Sequence, residues 1–200
     1  MPEFATIVMV PLDRIRLSVS LPPWLDDYSE YPAWCVEAVD GKSLAEISKW
    51  IFLLRRGQCL SSKDTPTLAS FDIWADNRDR NFGNVIRTKK GEYIAIDHET
   101  LLHDLVVQGM YGIKYEERSL LKEAGKHMES AKFQRFQYDV VSAAHRHESA
   151  LQSVVQAAGQ YVFNITTSPA DGSALWQSIY NYLYLRAQVG WMSNFMGMII

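Results

Sequence analysis

The chain has 200 residues, of which 48% are hydrophobic and 22% are charged, and its formal net charge is −3. This composition is typical of a globular protein with one sizeable core, so a single domain is the expected organisation. The negative charge argues against a protein that binds duplex nucleic acid, because neutralising phosphates takes an excess of basic surface, although a local basic patch remains open.

The cysteines and the two terminal segments predict the cellular compartment of the protein. Cys35 and Cys59 lie in apolar surroundings without a CxxC spacing, so we expect buried thiols in a reducing compartment. The first residues lack the pattern of a signal peptide, and the apolar end VGWMSNFMGMII is about half as long as a membrane span. We therefore expect a cytoplasmic protein with no membrane partner and no specific nucleic-acid partner.

The N-terminal part of the chain predicts strands. FATIVMV and RIRLSVS are rich in β-branched residues and predict two strands or a strand pair. The two prolines of LPPWLDDYSEYP predict that an extended linker follows them.

Two helices are predicted next. In DGKSLAEISKWIFLLRR, Ser43 and Glu46 form a capping-box pattern. In SSKDTPTLASFDIWADN, Asp64 or Thr65 can cap and Pro66 suits the first turn. Apolar residues recur along both segments: Leu44, Ile47, Ile51 and Leu54 in the first, and Leu68, Phe71, Ile73 and Trp74 in the second.

A hairpin and a helical half complete the chain. NVIRT and EYIAI predict two strands joined by a tight turn at KKG, where Gly91 supplies a positive φ. From about Tyr115 onward the pattern is helical. Within that half, His145 and His147 point in different directions around a helix, so surface histidines are expected instead of a metal pair. The aromatic helix around Trp176 and Tyr180 is expected to be core, with an exposed partner surface as the alternative.

Polar residues gather between the second helix and the hairpin. Asp79 and Asn84 are five positions apart, and the hairpin leads directly to Asp97. Because antiparallel strands return their far ends to one strand separation, Asp97 is expected beside Asn84. A carboxylate followed by two oxygen ligands for Mg²⁺ is the arrangement that phosphoryl transfer from a nucleotide uses.

The segments N-R-D-R-N-F-G-N and A-I-D-H resemble the catalytic loop and metal site of the HipA-like kinases, and more distantly those of phosphoinositide-type lipid kinases. The specific part covers residues 71–101, and YLYLRAQ is similar to the family's closing helix. The resemblance implies that Asp79 is the catalytic carboxylate, that Asn84 and Asp97 bind Mg²⁺, and that ATP is the phosphate donor.

Three neighbours of these residues have more than one interpretation. Arg80 and Arg78 either stabilise phosphate charge or form internal ion pairs that shape the loop. His98 follows Asp97 as in this branch of the family, and we expect it to orient Asp97. The structural alternative for the whole loop is a turn rich in Asp and Asn side chains that cap helix and strand ends.

The small lobe of a kinase is missing from the pattern. No GxGxxG precedes Asp79, and Lys42 and Lys49 lie beside or within the first helix. By the resemblance, FATIVMV is the hinge strand, which places Val8, Met9 and Val10 at the adenine. Three explanations remain: a split kinase whose small lobe is another polypeptide, a minimal one-lobe enzyme, or a pseudokinase kept as a binding module.

We therefore expect an α+β, predominantly α-helical fold that resembles the large lobe of a kinase. It forms one domain over residues 1–200, with hinge-like strands and linker in 1–40, helices, catalytic loop and hairpin in 41–110, and the helical half in 111–200. The expected function is ATP- and Mg²⁺-dependent phosphotransfer, with a protein partner that supplies a small lobe or acts as substrate. The alternative is a non-catalytic binding or regulatory module.

Overall fold

A computed structural model of the chain describes residues 5–11, 29–36, 40–98, 100–109, 112, 116–166 and 168–198. The chain forms two compact units, Met1–Gly41 and Lys42–Ile200. The described part is mostly helical and contains a small three-stranded antiparallel sheet, so the predicted α+β class is confirmed at this level.

The first unit contains a strand pair. β1 (Ala5–Pro11) pairs antiparallel with β2 (Glu30–Val36), with Val8 opposite Ala33. β1 was predicted, whereas RIRLSVS lies outside the described residues. The end of the predicted linker, from Glu30 onward, is instead part of β2, because Pro32 tolerates the edge position of a two-stranded pair.

The first predicted helix starts later than its cap suggested. β3 (Gly41–Ser43) leads into a 3₁₀ turn, and Ser43 accepts the Ala45 N–H at 3.2 Å there. The α-helix α1 (Lys49–Leu60) begins only after Ser48. The hydroxyl of Ser43 also donates to the Gly83 carbonyl at 2.7 Å, a tertiary bond that fixes the early turn. Two of the residues predicted to face the core, Ile51 and Leu54, are exposed.

The second helix and the hairpin lie where they were predicted, but the predicted cap of the helix is wrong. Asp64 and Thr65 are both inside the helix, and the Thr65 hydroxyl donates instead to the Cys59 carbonyl in the preceding helix. α2 (Asp64–Trp74) contains Pro66 in its first turn and is the most buried helix around the loop. β4 (Val85–Thr88) and β5 (Tyr93–Ala95) pair antiparallel, and Gly91 in their turn has a φ of 86°. β3 lies on the other side of β4.

The C-terminal half is helical, as predicted. A π-helical segment (His103–Gln108), which was not predicted, precedes α3 (Leu120–His127) and α4 (Ser130–Ala144). α5 (His147–Ile165), α6 (Pro169–Ala187) and the short α7 (Trp191–Phe195) follow. α4 and α6 both pack against α2, which therefore runs through the core.

The prediction of a surface position is wrong for His147. Its side chain is buried, stacks on Trp74 with ring centroids 4.8 Å apart, and lies 3.3 Å from the Ser70 hydroxyl. Burial lowers the pKa of His147 to about 4. The helices of the described part include none long and apolar enough to span a membrane.

Candidate functional site

The polar loop begins where α2 ends. The N–H of Ala75 donates to the Phe71 carbonyl, and that of Asn77 donates to the Asp72 carbonyl, each at 2.8 Å. Between them Asp76 has a φ of 52°, a left-handed conformation that Asp and Asn tolerate better than most residues. This turn directs the chain away from the helix axis and into the segment that contains Asp79.

Asp79 is held through its backbone and keeps part of its side chain in solvent. Its N–H donates to Asn77 Oδ1 at 3.2 Å and to Thr100 Oγ1 at 3.1 Å. Its Oδ1 accepts from Asn81 Nδ2 at 3.1 Å and lies 3.7 Å from Arg118 Nη1. The side chain is 22% exposed, so it is oriented by neighbours and remains accessible to a proton donor.

Asn84 closes a 3₁₀ turn (Phe82–Asn84) and bonds back to Asp79. Asn81 caps this turn by accepting the Gly83 N–H at 2.7 Å. Asn84 Nδ2 donates to the Asp79 carbonyl at 2.8 Å. This bond uses the amide nitrogen of Asn84. The amide oxygen, which is the atom able to bind Mg²⁺, takes no part in it.

Asp97 follows the returning strand of the hairpin. The N–H of Ile96 donates to the Asn84 carbonyl at 3.0 Å. Asp97 is the next residue after Ile96, so the hairpin brings its backbone close to that of Asn84. Asp97 is exposed, and its φ of 56° is left-handed. The backbone thus brings the ends of the two predicted metal-binding segments together.

Arg80 is the buried centre of this arrangement. Its side chain is 0% exposed and contacts both carboxylate oxygens of Asp72, with Nε 2.9 Å from Oδ2. Its Nη1 donates to the Asn84 carbonyl at 3.1 Å and to the Ile96 carbonyl. Of the two roles left open by the sequence, the internal ion pair fits this geometry. Because this side chain is 0% exposed, the guanidinium is not accessible to a phosphate bound at the surface.

His98 packs beside the site. Its ring lies edge-on to Phe71, with centroids 5.9 Å apart, and within the described part its Nε2 is buried without a hydrogen-bond partner. Burial, followed by the positive charge of Arg80, lowers its pKa. The ring contact that the structure describes is therefore with Phe71, and the orienting role towards Asp97 stays a prediction.

Arg78 forms a second set of ion pairs behind the loop. Its Nε lies 3.0 Å from Asp76 Oδ1, and its Nη2 lies 2.9 Å from Asp104 Oδ2. Burial on its own would lower the pKa of Arg78, but these two carboxylates raise it. Ligand atoms of Asp76, His103 and Asp104 lie within 4.8 Å of one another, which is close enough for one metal ion. Because Arg78 already occupies oxygens of both carboxylates, an ion there would have to compete with it.

Helix α6 contacts the loop through Tyr182 and Arg186, and the sequence did not predict these contacts. Tyr182 donates its hydroxyl to Asp76 Oδ2 at 2.8 Å. Arg186 donates to the last carbonyls of α2, at 2.9 Å to Trp74 and at 2.6 Å to Ile73. Asp72 was missed too, although an acidic residue inside the apolar run FDIW was the available indication of a buried ion pair.

A pocket of about 590 Å³ opens beside the loop. Its walls come from the turn before α1, the start of α1, the loop itself and the first turns of α3. Apolar and charged side chains both line it, among them Leu44, Phe52, Asn81, Phe82, Arg118 and Lys122. Asn81 both lines the pocket and donates to the predicted catalytic carboxylate of Asp79.

The remaining predicted contacts involve β1. Val8, Met9 and Val10 lie in that strand, but their side chains fall outside the described part, so their contact with adenine stays a prediction. No match to a protein-family model, a curated protein or a solved structure was found. The kinase-like reading of the loop therefore depends on its own residues and geometry.

Proposed function

We propose that the chain is the large-lobe portion of an ATP- and Mg²⁺-dependent phosphotransferase that resembles the HipA-like kinases and acts on a protein hydroxyl. The observation that carries the proposal is the convergence at Arg80. One buried guanidinium donates to the carbonyls of Asn84 and Ile96, and Ile96 donates back to Asn84. The loop that contains Asp79 and the strand that leads to Asp97 are thereby fixed to each other.

Asp79 is the residue proposed to accept the proton of the attacking hydroxyl. Its carboxylate is partly exposed and is oriented by Asn81, while its backbone is bonded on both sides. A positioned general base contributes typically 10²–10⁴-fold to a rate. Asn81, which donates to this carboxylate, also lines the adjacent pocket, where an acceptor side chain could enter.

Asn84 and Asp97 are the residues proposed to hold Mg²⁺. This ion prefers hard oxygen ligands such as an amide oxygen and a carboxylate. Because Asn84 bonds to the Asp79 carbonyl through Nδ2, its amide oxygen is not used in that bond. When bound, the ion would neutralise charge on the nucleotide phosphates. The left-handed backbone at Asp97 supports a functional reading, because such strain is concentrated at sites where a side chain must be aimed.

A partner fits the proposal better than a self-sufficient enzyme. In the described part of Met1–Gly41 the secondary structure is the β1–β2 pair, and the Arg80 side chain is 0% exposed and so does not face a phosphate. A second polypeptide that supplies a small lobe would provide the missing grip on the phosphates. The second candidate, a non-catalytic binding module, is favoured by a different observation, the large exposed apolar face of α1.

The test measures transfer of the labelled γ-phosphate of ATP to a protein acceptor. It uses extracts of cells that naturally make the chain, and of the same cells in which a variant replaces the wild-type chain. Asp79→Asn keeps the shape of the side chain, and we expect it to reduce labelling of the acceptor at least about a hundredfold. Asp139→Asn, on the outer side of α4, is the matched control and should label normally. Equal labelling by wild type and Asp79→Asn, in folded protein, would contradict the proposal.

A further inference from the structure

The outward face of α1 exposes large apolar side chains. Trp50 is 85% exposed, Leu54 is 63% exposed, and Ile51 and Leu53 are each 49% exposed. On the opposite side of the helix, Cys59 is 0% exposed. Trp50, Leu53 and Leu54 stand at positions i, i+3 and i+4, which is the spacing of anchors that a helix inserts into a groove. We call these three residues the α1 stripe.

Basic residues accompany the stripe. α1 contains Lys49, Arg55 and Arg56 and no acidic residue, although the whole chain has a net charge of −3. At 100° per residue, Lys49 and Arg56 fall on the flank of the stripe beside Leu53, whereas Arg55 points away from the stripe. Packing the stripe of a second copy against this one would bring like charges together. The charge pattern instead complements a surface that carries carboxylates around an apolar centre.

Gly57 leaves a notch on the exposed side of α1. It lies seven residues after Trp50, on the exposed side of the helix, where a Cβ would meet no atom within 4 Å. Glycine inside a helix costs stability relative to alanine, and here the fold gives no steric reason for it. A partner backbone or side chain that closely approaches the helix at this notch would give such a reason, whereas lipid chains adapt to either residue.

We propose that α1 is a docking helix, and that the α1 stripe inserts into an apolar groove with an acidic rim on a partner protein. Trp50 is the central anchor, because tryptophan is among the residues enriched at the hot spots of protein interfaces. Lys49 and Arg56 pair with the rim, and Gly57 admits the groove wall. The proposal does not depend on the proposed phosphotransfer, since it requires neither ATP nor Asp79.

The experiment starts from a cross-link at the stripe itself. The full chain with the photoreactive residue p-benzoylphenylalanine in place of Trp50 is produced in the cells that naturally make the protein, and illuminated. A parallel chain carries the same residue at Val189, which is 86% exposed on another surface. An adduct formed from position 50 and not from 189 identifies the protein to be purified for titration. Absence of an adduct specific to position 50, or a cross-link only to the chain itself, overturns the proposal.

Titration of that protein with matched variants then tests the chemistry. We expect Trp50→Ala and Leu54→Ala each to weaken binding about tenfold or more, while Leu185→Ala, equally exposed at 63%, leaves it unchanged. Lys49→Glu should weaken binding, and the control Lys132→Glu on α4 should not. Each variant is checked for native circular dichroism, which substitutions at exposed positions are expected to preserve.

Gly57→Ala separates docking from stability. We expect it to raise the urea midpoint of unfolding, because alanine favours the helix, and to weaken binding several-fold, because the added methyl fills the notch. Unchanged binding by Gly57→Ala and Lys49→Glu would contradict an acid-rimmed groove. Two results would overturn the proposal. If the chain binds phosphatidylserine vesicles and this binding depends on Trp50, the stripe belongs to a membrane contact. If the chain sediments as a dimer that depends on Trp50, the stripe belongs to a contact with a second copy.

Discussion

Replacing Arg80 with methionine tests the buried centre of the site. The substitution keeps much of the side-chain volume but removes every donor, so Asp72 is left as a buried carboxylate whose side chain is 3% exposed and still accepts from Asn77 Nδ2 at 2.9 Å. Breaking a buried ion pair from one side typically costs about 3–5 kcal/mol. The Ile96 carbonyl also loses a donor. We therefore expect the free energy of unfolding to fall by about 4 kcal/mol, a large part of the 5–15 kcal/mol typical of a domain.

Urea denaturation followed by circular dichroism measures this loss. The matched control is Arg135→Met, which removes an exposed ion pair with Asp139 and should cost no more than about 0.5 kcal/mol. The double variant Asp72→Leu/Arg80→Met should recover at least about 2 kcal/mol relative to Arg80→Met, because no unpaired charge remains. A loss below about 1 kcal/mol in Arg80→Met would refute the reasoning that this pair holds the loop to the hairpin.

Two further predictions concern pH and helix α6. Burial lowers the pKa of His147 from 6.5 to about 4, so the unfolded chain binds a proton at higher pH than the folded one. The free energy of unfolding should therefore fall by about 3 kcal/mol as pH drops from 6.5 to 4. His147→Phe should reduce this dependence of the unfolding free energy on pH. An unchanged dependence would show that other groups cause it. Arg186→Met removes the donors to the last carbonyls of α2. The free energy of unfolding in the urea assay should fall by about 2–3 kcal/mol. An unfolding midpoint equal to that of wild type would rule out this cap.

Local sequence determined the parts of the site that neighbouring residues build. The hairpin follows from two apolar runs and the positive φ that Gly91 adopts, and the turn that presents Asp79 follows from Asp and Asn residues that tolerate unusual backbone angles. The spacing of Asp79, Asn84 and Asp97 therefore predicted which segments meet. The prediction of a kinase large lobe goes beyond these local rules and stays a prediction.

Contacts between distant residues account for what the sequence could not predict. The capping-box pattern at Ser43 was diverted to a 3₁₀ turn because its hydroxyl bonds Gly83, 40 residues away. His147 is buried because Trp74 and Ser70 cover it, and no periodicity in its own helix encodes that packing. For Arg80 the two roles could not be separated until its ion pair with Asp72 was located.

The most direct test of the proposed function is calorimetric titration of the purified chain with ATP, with and without Mg²⁺. Asp97→Asn is the informative variant, because asparagine tolerates the left-handed φ of 56° and removes only the charge. Asp139→Asn serves as the control on a distant surface. We predict binding that requires Mg²⁺ and that weakens at least about tenfold in Asp97→Asn alone. ATP binding that is independent of Mg²⁺ and of Asp97 would contradict a Mg²⁺–nucleotide site at this hairpin.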